Sequence, residues 1–195
     1  ATIGLHPGPR TQPLVVEGRV YTMSRDGLIH ALHYRTGEVL WSYDIVAEDL
    51  MPVPEFGFSS APVHHEGKVY VNAGSRGMAF DAVTGSPVWK SPVGKAGYAP
   101  FVFFTRDGSD YGALFSDADL FIVNPRTGEE ITSFPWPTYS GCNVAIPMIS
   151  GDSIFISSSY GMGAALLNFS EETLTKVWKS QEMKHHMSAG VLIDG

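Results

Sequence analysis

A Thr-Gly pair recurs three times at nearly one interval, as Thr36-Gly37, Thr84-Gly85 and Thr127-Gly128, 48 and then 43 residues apart. That period is the size of one four-stranded propeller blade, a unit that cannot bury its faces alone and stacks on copies of itself. Two of the pairs lead to tryptophan, in Thr36-Gly37-Glu38-Val39-Leu40-Trp41 and Thr84-Gly85-Ser86-Pro87-Val88-Trp89, and an alanine, Ala31 or Ala79, stands five positions before each threonine. Thr173 and Trp178 carry a fourth, eroded copy, with Leu174 in the glycine's place.

Short apolar runs punctuated by glycine turns fill the space between the pairs, and helical periodicity is nearly absent. The expected fold is all-β, a β-propeller of four-stranded antiparallel blades with about four blades present, at approximately 10–44, 60–93, 99–136 and 144–180. The segment 188–195 repeats the start of a further blade and stops at its first turn, so the chain reads as part of a larger propeller, because a strand without a partner exposes unpaired backbone groups. Both faces of every strand carry apolar residues, as sandwiching between neighbouring blades requires. Trp41, Trp89 and Trp178 are assigned to packing against the adjacent blade. The longer first interval is expected to appear as an enlarged loop at 44–60.

Composition narrows the function classes. With 44% hydrophobic and 17% charged residues the chain has ample material for a core. The net charge of −7 and the dispersed Lys and Arg exclude a basic stripe that tracks phosphates, so no nucleic acid is expected. No run approaches the roughly 18 apolar residues of a membrane helix. Cys142 is the one cysteine, which rules out an internal disulfide framework, and it is read as a small buried hydrophobe. There is no Gly-x-Ser-x-Gly elbow, phosphate-binding loop or Cys-x-x-Cys pair.

In a propeller, the link from the outer strand of one blade to the inner strand of the next runs over one face toward the central channel. Loops on a rigid scaffold are where binding concentrates. The links here include Glu55-Phe56-Gly57-Phe58-Ser59-Ser60, Lys95-Ala96-Gly97-Tyr98, Tyr139-Ser140-Gly141-Cys142-Asn143 and Lys184-His185-His186-Met187-Ser188. Arg10, Tyr98, Asn143 and His186 are the candidate binding residues, offering donors to a carboxylate, a carbonyl or a peptide backbone. No catalytic residue stands out. His64-His65 and His185-His186 invite a metal reading, but adjacent strand residues point to opposite faces, so no metal site is expected from either pair.

The segment Ala79-Phe80-Asp81-Ala82-Val83-Thr84-Gly85-Ser86-Pro87-Val88-Trp89 resembles the Ala-x-Asp-x-x-Thr-Gly-x-x-x-Trp signature of the pyrroloquinoline quinone (PQQ) repeat propellers, the quinoprotein alcohol dehydrogenase-like superfamily. His33 takes the aspartate position in the first blade, and Asn124 and Ile122 take the aspartate and alanine positions in the third. The resemblance implies seven or eight blades in the whole propeller and a periplasmic or otherwise extracytoplasmic location. Such propellers include quinoprotein dehydrogenases and a lipoprotein of the outer-membrane assembly machinery. For a dehydrogenase it further implies PQQ on a tryptophan floor, beneath a disulfide of adjacent cysteines and beside calcium with a catalytic aspartate. Cys142 alone cannot form that cysteine pair, and Glu48, Asp49 and Glu55 share a loop without calcium-loop spacing.

The leading expectation is therefore a non-catalytic binding propeller without a cofactor. It takes a small molecule, protein or peptide on the propeller face and self-associates through open blade edges. A PQQ- and calcium-dependent oxidoreductase is the alternative, and a structural module of a larger enzyme is the third reading.

Overall fold

The computed structural model describes residues 8, 10–187 and 190–193. Among the described residues, sixteen strands form four separate antiparallel sheets, each a simple meander of four consecutive strands. The first holds β1 (Leu14–Val16), β2 (Arg19–Met23), β3 (Leu28–His33) and β4 (Val39–Asp44). The second holds β5 (Val63–His65), β6 (Lys68–Val71), β7 (Met78–Asp81) and β8 (Pro87–Lys90). The third holds β9 (Val102–Arg106), β10 (Ser109–Phe115), β11 (Asp119–Val123) and β12 (Glu130–Pro135). The fourth holds β13 (Met148–Ser150), β14 (Ser153–Ser158), β15 (Gly163–Ser170) and β16 (Thr173–Ser180).

The core lies between the sheets, as the two-faced apolar strands require. One buried cluster, with Tyr21, Trp41, Val69 and Phe80, joins the first two blades. A second, with Tyr70, Trp89, Phe101 and Leu114, joins the second and third. A third, with Tyr111, Phe115, Ile154 and Phe169, joins the third and fourth.

The repeated motif owes its residues to these junctions. Tyr21 Oη and Trp41 Nε1 both donate to the carbonyl of Ala82 in the next blade, at 2.9 and 3.1 Å. Tyr70 Oη and Trp89 Nε1 repeat the arrangement one blade on, each 2.9 Å from the carbonyl of Pro125. Each indole also lies over the Thr-Gly turn of its neighbour. A Cβ on Gly85 would stand 2.5 Å from the Trp41 ring, and one on Gly128 would run into Trp89. The alanine of the motif faces the tryptophan across the hairpin, Ala31 opposite Trp41 and Ala79 opposite Trp89. Asp81 builds the turn itself, its Oδ1 accepting from the backbone N–H of Val83 and of Thr84 and from the Thr84 hydroxyl. Asn124 does the same more sparingly, through the Arg126 N–H.

Two expectations need correction. The enlarged segment 44–60 is not all loop, since Ile45–Asp49 forms a short helix, α1, whose N-cap Asp44 accepts from the N–H groups of Val46 and Ala47. Asp49 then ties the helix to two blades through Lys90 and the Tyr43 hydroxyl. Thr173 is not a turn threonine. The fourth hairpin turns at Glu171-Glu172, both left-handed (φ 50° and 56°), so the ladder runs to the tip and Thr173 pairs with Ser170. The further blade start expected at 188–195 lies partly outside the described residues, and residues 190–193 pair with none of the described strands, as a segment with no blade to join would.

Candidate functional site

Alternating strand direction places the links at one end of the blades, together with the turns between second and third strands, and the Thr-Gly turns at the other. On the link face three segments are bound to one another through Tyr98. Its N–H donates to the carbonyl of Asn143 at 3.0 Å, and its hydroxyl accepts from the Phe56 N–H at 3.3 Å. Burial raises the Tyr98 phenol above its ordinary pKa, with only partial opposition from the Phe56 N–H bond.

A pocket of about 380 Å³ opens where these links meet, and Arg10, Tyr98 and His186 all line it. Phe56, Tyr160, Val144 and Met187 make the rest of it largely apolar. The rings are set at angles to one another, Phe56 tilted 6.0 Å from Tyr98 and Tyr160 perpendicular to His186 at 4.9 Å. Arg10 Nη1 donates to the Phe56 carbonyl at 2.7 Å, which draws residue 10 onto the second link. His186 Nδ1 is shielded from water and has no hydrogen-bond partner.

Asn143 sits beneath this pocket and does not line it. Its amide donates to the carbonyls of Ser116, Asp117 and Trp136, and its Oδ1 accepts from Ser158, so it fastens the third link to two blades. Cys142 does line the pocket, with its free thiol pushed up by burial and, secondarily, by Glu55. The sequence passes over Tyr160, which comes from the turn between β14 and β15. The signal available was topological, because every second-to-third-strand turn shares the face with the links.

A second, more polar pocket of about 270 Å³ lies on the other side of Tyr98, lined by Glu55, Lys95, Asp117 and Ser140. Tyr98 is the partition between the two. Neither histidine pair brings both rings to one place on this face. The described residues do hold one group of metal-ligating side chains, His65, Glu66 and Asp110, at the opposite end of the blades.

Known proteins share the fold that carries this face. A family profile of the PQQ repeat, described as outer membrane protein assembly factor BamB, matches residues 4–195. The chain belongs to this BamB-type PQQ-repeat family. Within curated proteins, the 1-butanol dehydrogenase (quinone) of Thauera butanivorans is 27% identical over 146 residues, which is 66% of this chain and 23% of that enzyme. This family member thus spans less than a quarter of that relative. Among solved structures, BamB from Moraxella catarrhalis superposes with a TM-score of 0.62 at 16% identity, covering 89% of this chain and 49% of the other. Quinohemoprotein alcohol dehydrogenase from Comamonas testosteroni gives 0.61 at 16% identity, covering 91% and 35%. At these identities the superpositions establish the propeller fold.

Proposed function

We propose that this chain is four blades, at about 10–44, 60–93, 99–136 and 144–180, of a larger extracytoplasmic propeller that binds a ligand non-catalytically on its link face. The ligand is an apolar group carrying a carbonyl or carboxylate, of the kind an extended peptide or protein segment presents. The carrying observation is the pocket of about 380 Å³ in which aromatic side chains from separate segments converge, with Arg10 and His186 beside them. Rigid aromatic anchors with a few polar groups are the composition of binding hot spots. Burial raises both the Tyr98 phenol and the Cys142 thiol above their ordinary pKa, so neither is primed as a nucleophile.

The quinone dehydrogenase relatives favour a second reading, an oxidoreductase using PQQ and calcium. The residues of this segment do not fit that cofactor. Trp41 and Trp89 are committed to neighbouring blades. Trp136 is buried and donates to Ser158, while Trp178 stands on the outermost strand of the fourth blade against Phe155, and no tryptophan lines the link-face pocket. Asp49 is engaged by Lys90 and Tyr43.

The test uses the full-length protein, a panel of fluorescent extended peptides rich in aromatic residues, and a titration with PQQ and calcium. Tyr160→Ala is expected to weaken peptide binding about tenfold or more, at unchanged melting temperature, as loss of an aromatic anchor does. Peptide binding indifferent to Tyr160→Ala would remove the reading. Saturable PQQ binding lost on Arg10→Ala would replace it with the oxidoreductase.

A further inference from the structure

The end of the blades opposite the links carries the Glu66-Gly67 turn of the second blade beside the start of β10 in the third. There one imidazole nitrogen of His65 and one carboxylate oxygen each of Glu66 and Asp110 all lie within 4.8 Å of one another. These residues come from two blades. His65 and Glu66 are adjacent, and Asp110 arrives only because the third blade packs on the second.

Two of the three groups are held. The His65 ring stacks face to face on Phe103, with centroids 4.3 Å apart and planes within 6°, and its Nε2 is shielded from water without a hydrogen-bond partner. Asp110 Oδ1 accepts from the Thr105 hydroxyl at 2.7 Å, the kind of support that orients a ligating carboxylate. Glu66 is exposed at a turn, with φ of 46°, and is the least constrained of the three. Around a tetrahedral zinc-class ion with bonds of about 2.1 Å, ligand atoms stand about 3.4 Å apart, so the three side chains must draw in by roughly 1 Å at most.

Arg126, at the third Thr-Gly turn, completes the picture. Its guanidinium reaches Glu66 through two long contacts of 3.4 Å and also feels Asp110. It supplies the positive charge that two neighbouring carboxylates demand while no cation is present. A cleft of about 200 Å³, lined by Asp110, Asn124 and Arg126, opens Asp110 and Arg126 to solvent beside the cluster.

We propose that His65, Glu66 and Asp110 bind one zinc-class divalent cation across the junction of the second and third blades, with Arg126 as the charge it displaces. One nitrogen and two carboxylate oxygens suit zinc, cobalt(II) or nickel better than calcium or magnesium, which prefer oxygen alone. Three protein ligands leave a position for water. The site pins two blades together at the end where no link connects them.

The experiment titrates the tag-free, full-length protein with cobalt(II), followed by its visible ligand-field bands, and then displaces it with zinc. One equivalent is expected to bind at micromolar concentration. His65→Gln and Asp110→Asn should each weaken binding at least tenfold, and Arg126→Ala should tighten it severalfold. Absence of a one-equivalent site, or a site that survives Asp110→Asn, would overturn the assignment. Asp110 is surface-facing and its amide is isosteric, so that variant decides the matter even where His65→Gln disturbs packing on Phe103. An Arg126→Ala affinity equal to that of the unaltered protein would refute the displacement.

Discussion

The glycines of the second and third Thr-Gly pairs are required for two separate reasons, whereas Gly37 answers only to its φ of 71°, with open space around its α-carbon. Gly85 and Gly128 adopt φ of 74°, in the left-handed region, and each lies under a tryptophan of the preceding blade. Gly85→Ala is therefore expected to cost about 2 to 4 kcal/mol, combining the left-handed penalty with overpacking against Trp41. Urea unfolding of the full-length protein measures it, and a loss below about 1 kcal/mol would show that the indole moves aside freely. Asp81 carries a different signature. The N–H of Thr84 first, then the Thr84 hydroxyl and the Val83 N–H, hold its carboxyl below the usual range against a smaller opposing push from burial. A depressed folded pKa gives stability that is complete well above the unfolded value of about 3.9 and is lost as pH falls through the folded value. Asp81→Asn should keep the turn, as Asn124 does, while flattening the acid limb of melting temperature against pH. An unchanged acid limb would mean that Asp81 is no more hydrogen-bonded folded than unfolded.

At the scale of the strand, the hairpin between third and fourth strands was the most legible part of the sequence. All four blades carry a register shift there, with Leu40, Val88, Ile131 and Val177 as the extra residue. That shared bulge explains why the tryptophan position can be found in the third blade although Thr132 fills it. Thr132 faces Ile122, and a small residue opposite a large one reverses the Ala-Trp pairing without losing volume. The junction is held without an indole at that motif position, by Tyr111 against Phe104 and Phe169, by Arg106 with Asp152, and by Trp136 from the following link, which donates to Ser158.

Less could be read where contacts span blades. Arg10, Tyr98 and His186 meet because they occupy successive links, and link position follows from the repeat. Asn143 looks the same in sequence, yet its amide is spent on three carbonyls. Nothing local distinguishes a link donor that faces solvent from one that faces the scaffold. The nearness of Asp110 to His65 was equally hidden, because 44 intervening residues fold into most of a blade before the two approach.

Across the whole molecule, the repeat has a loose end among the described residues. Trp41 and Trp89 are 9% and 8% exposed beneath their neighbours, whereas Trp178, in the corresponding place on the fourth blade, is 38% exposed beside Val177 at 58%. Exposed apolar surface of this kind drives association. The 195 residues expressed alone are expected to self-associate, and Trp178→Glu should shift them toward monomer in sedimentation velocity. A monomer before the substitution would show that this face is stable in water.

The direction of the tryptophan bonds has a consequence for how the chain is made. Trp41 waits on a carbonyl 41 residues downstream, and Trp89 on one 36 residues downstream. A ribosome adds roughly 5 to 20 residues per second, so each indole leaves the exit tunnel some seconds before its partner. During that interval the newest blade is the least protected part of the nascent protein. Birth order and bonding order run the same way, so each arrival seals its predecessor and exposes one fresh edge in its place.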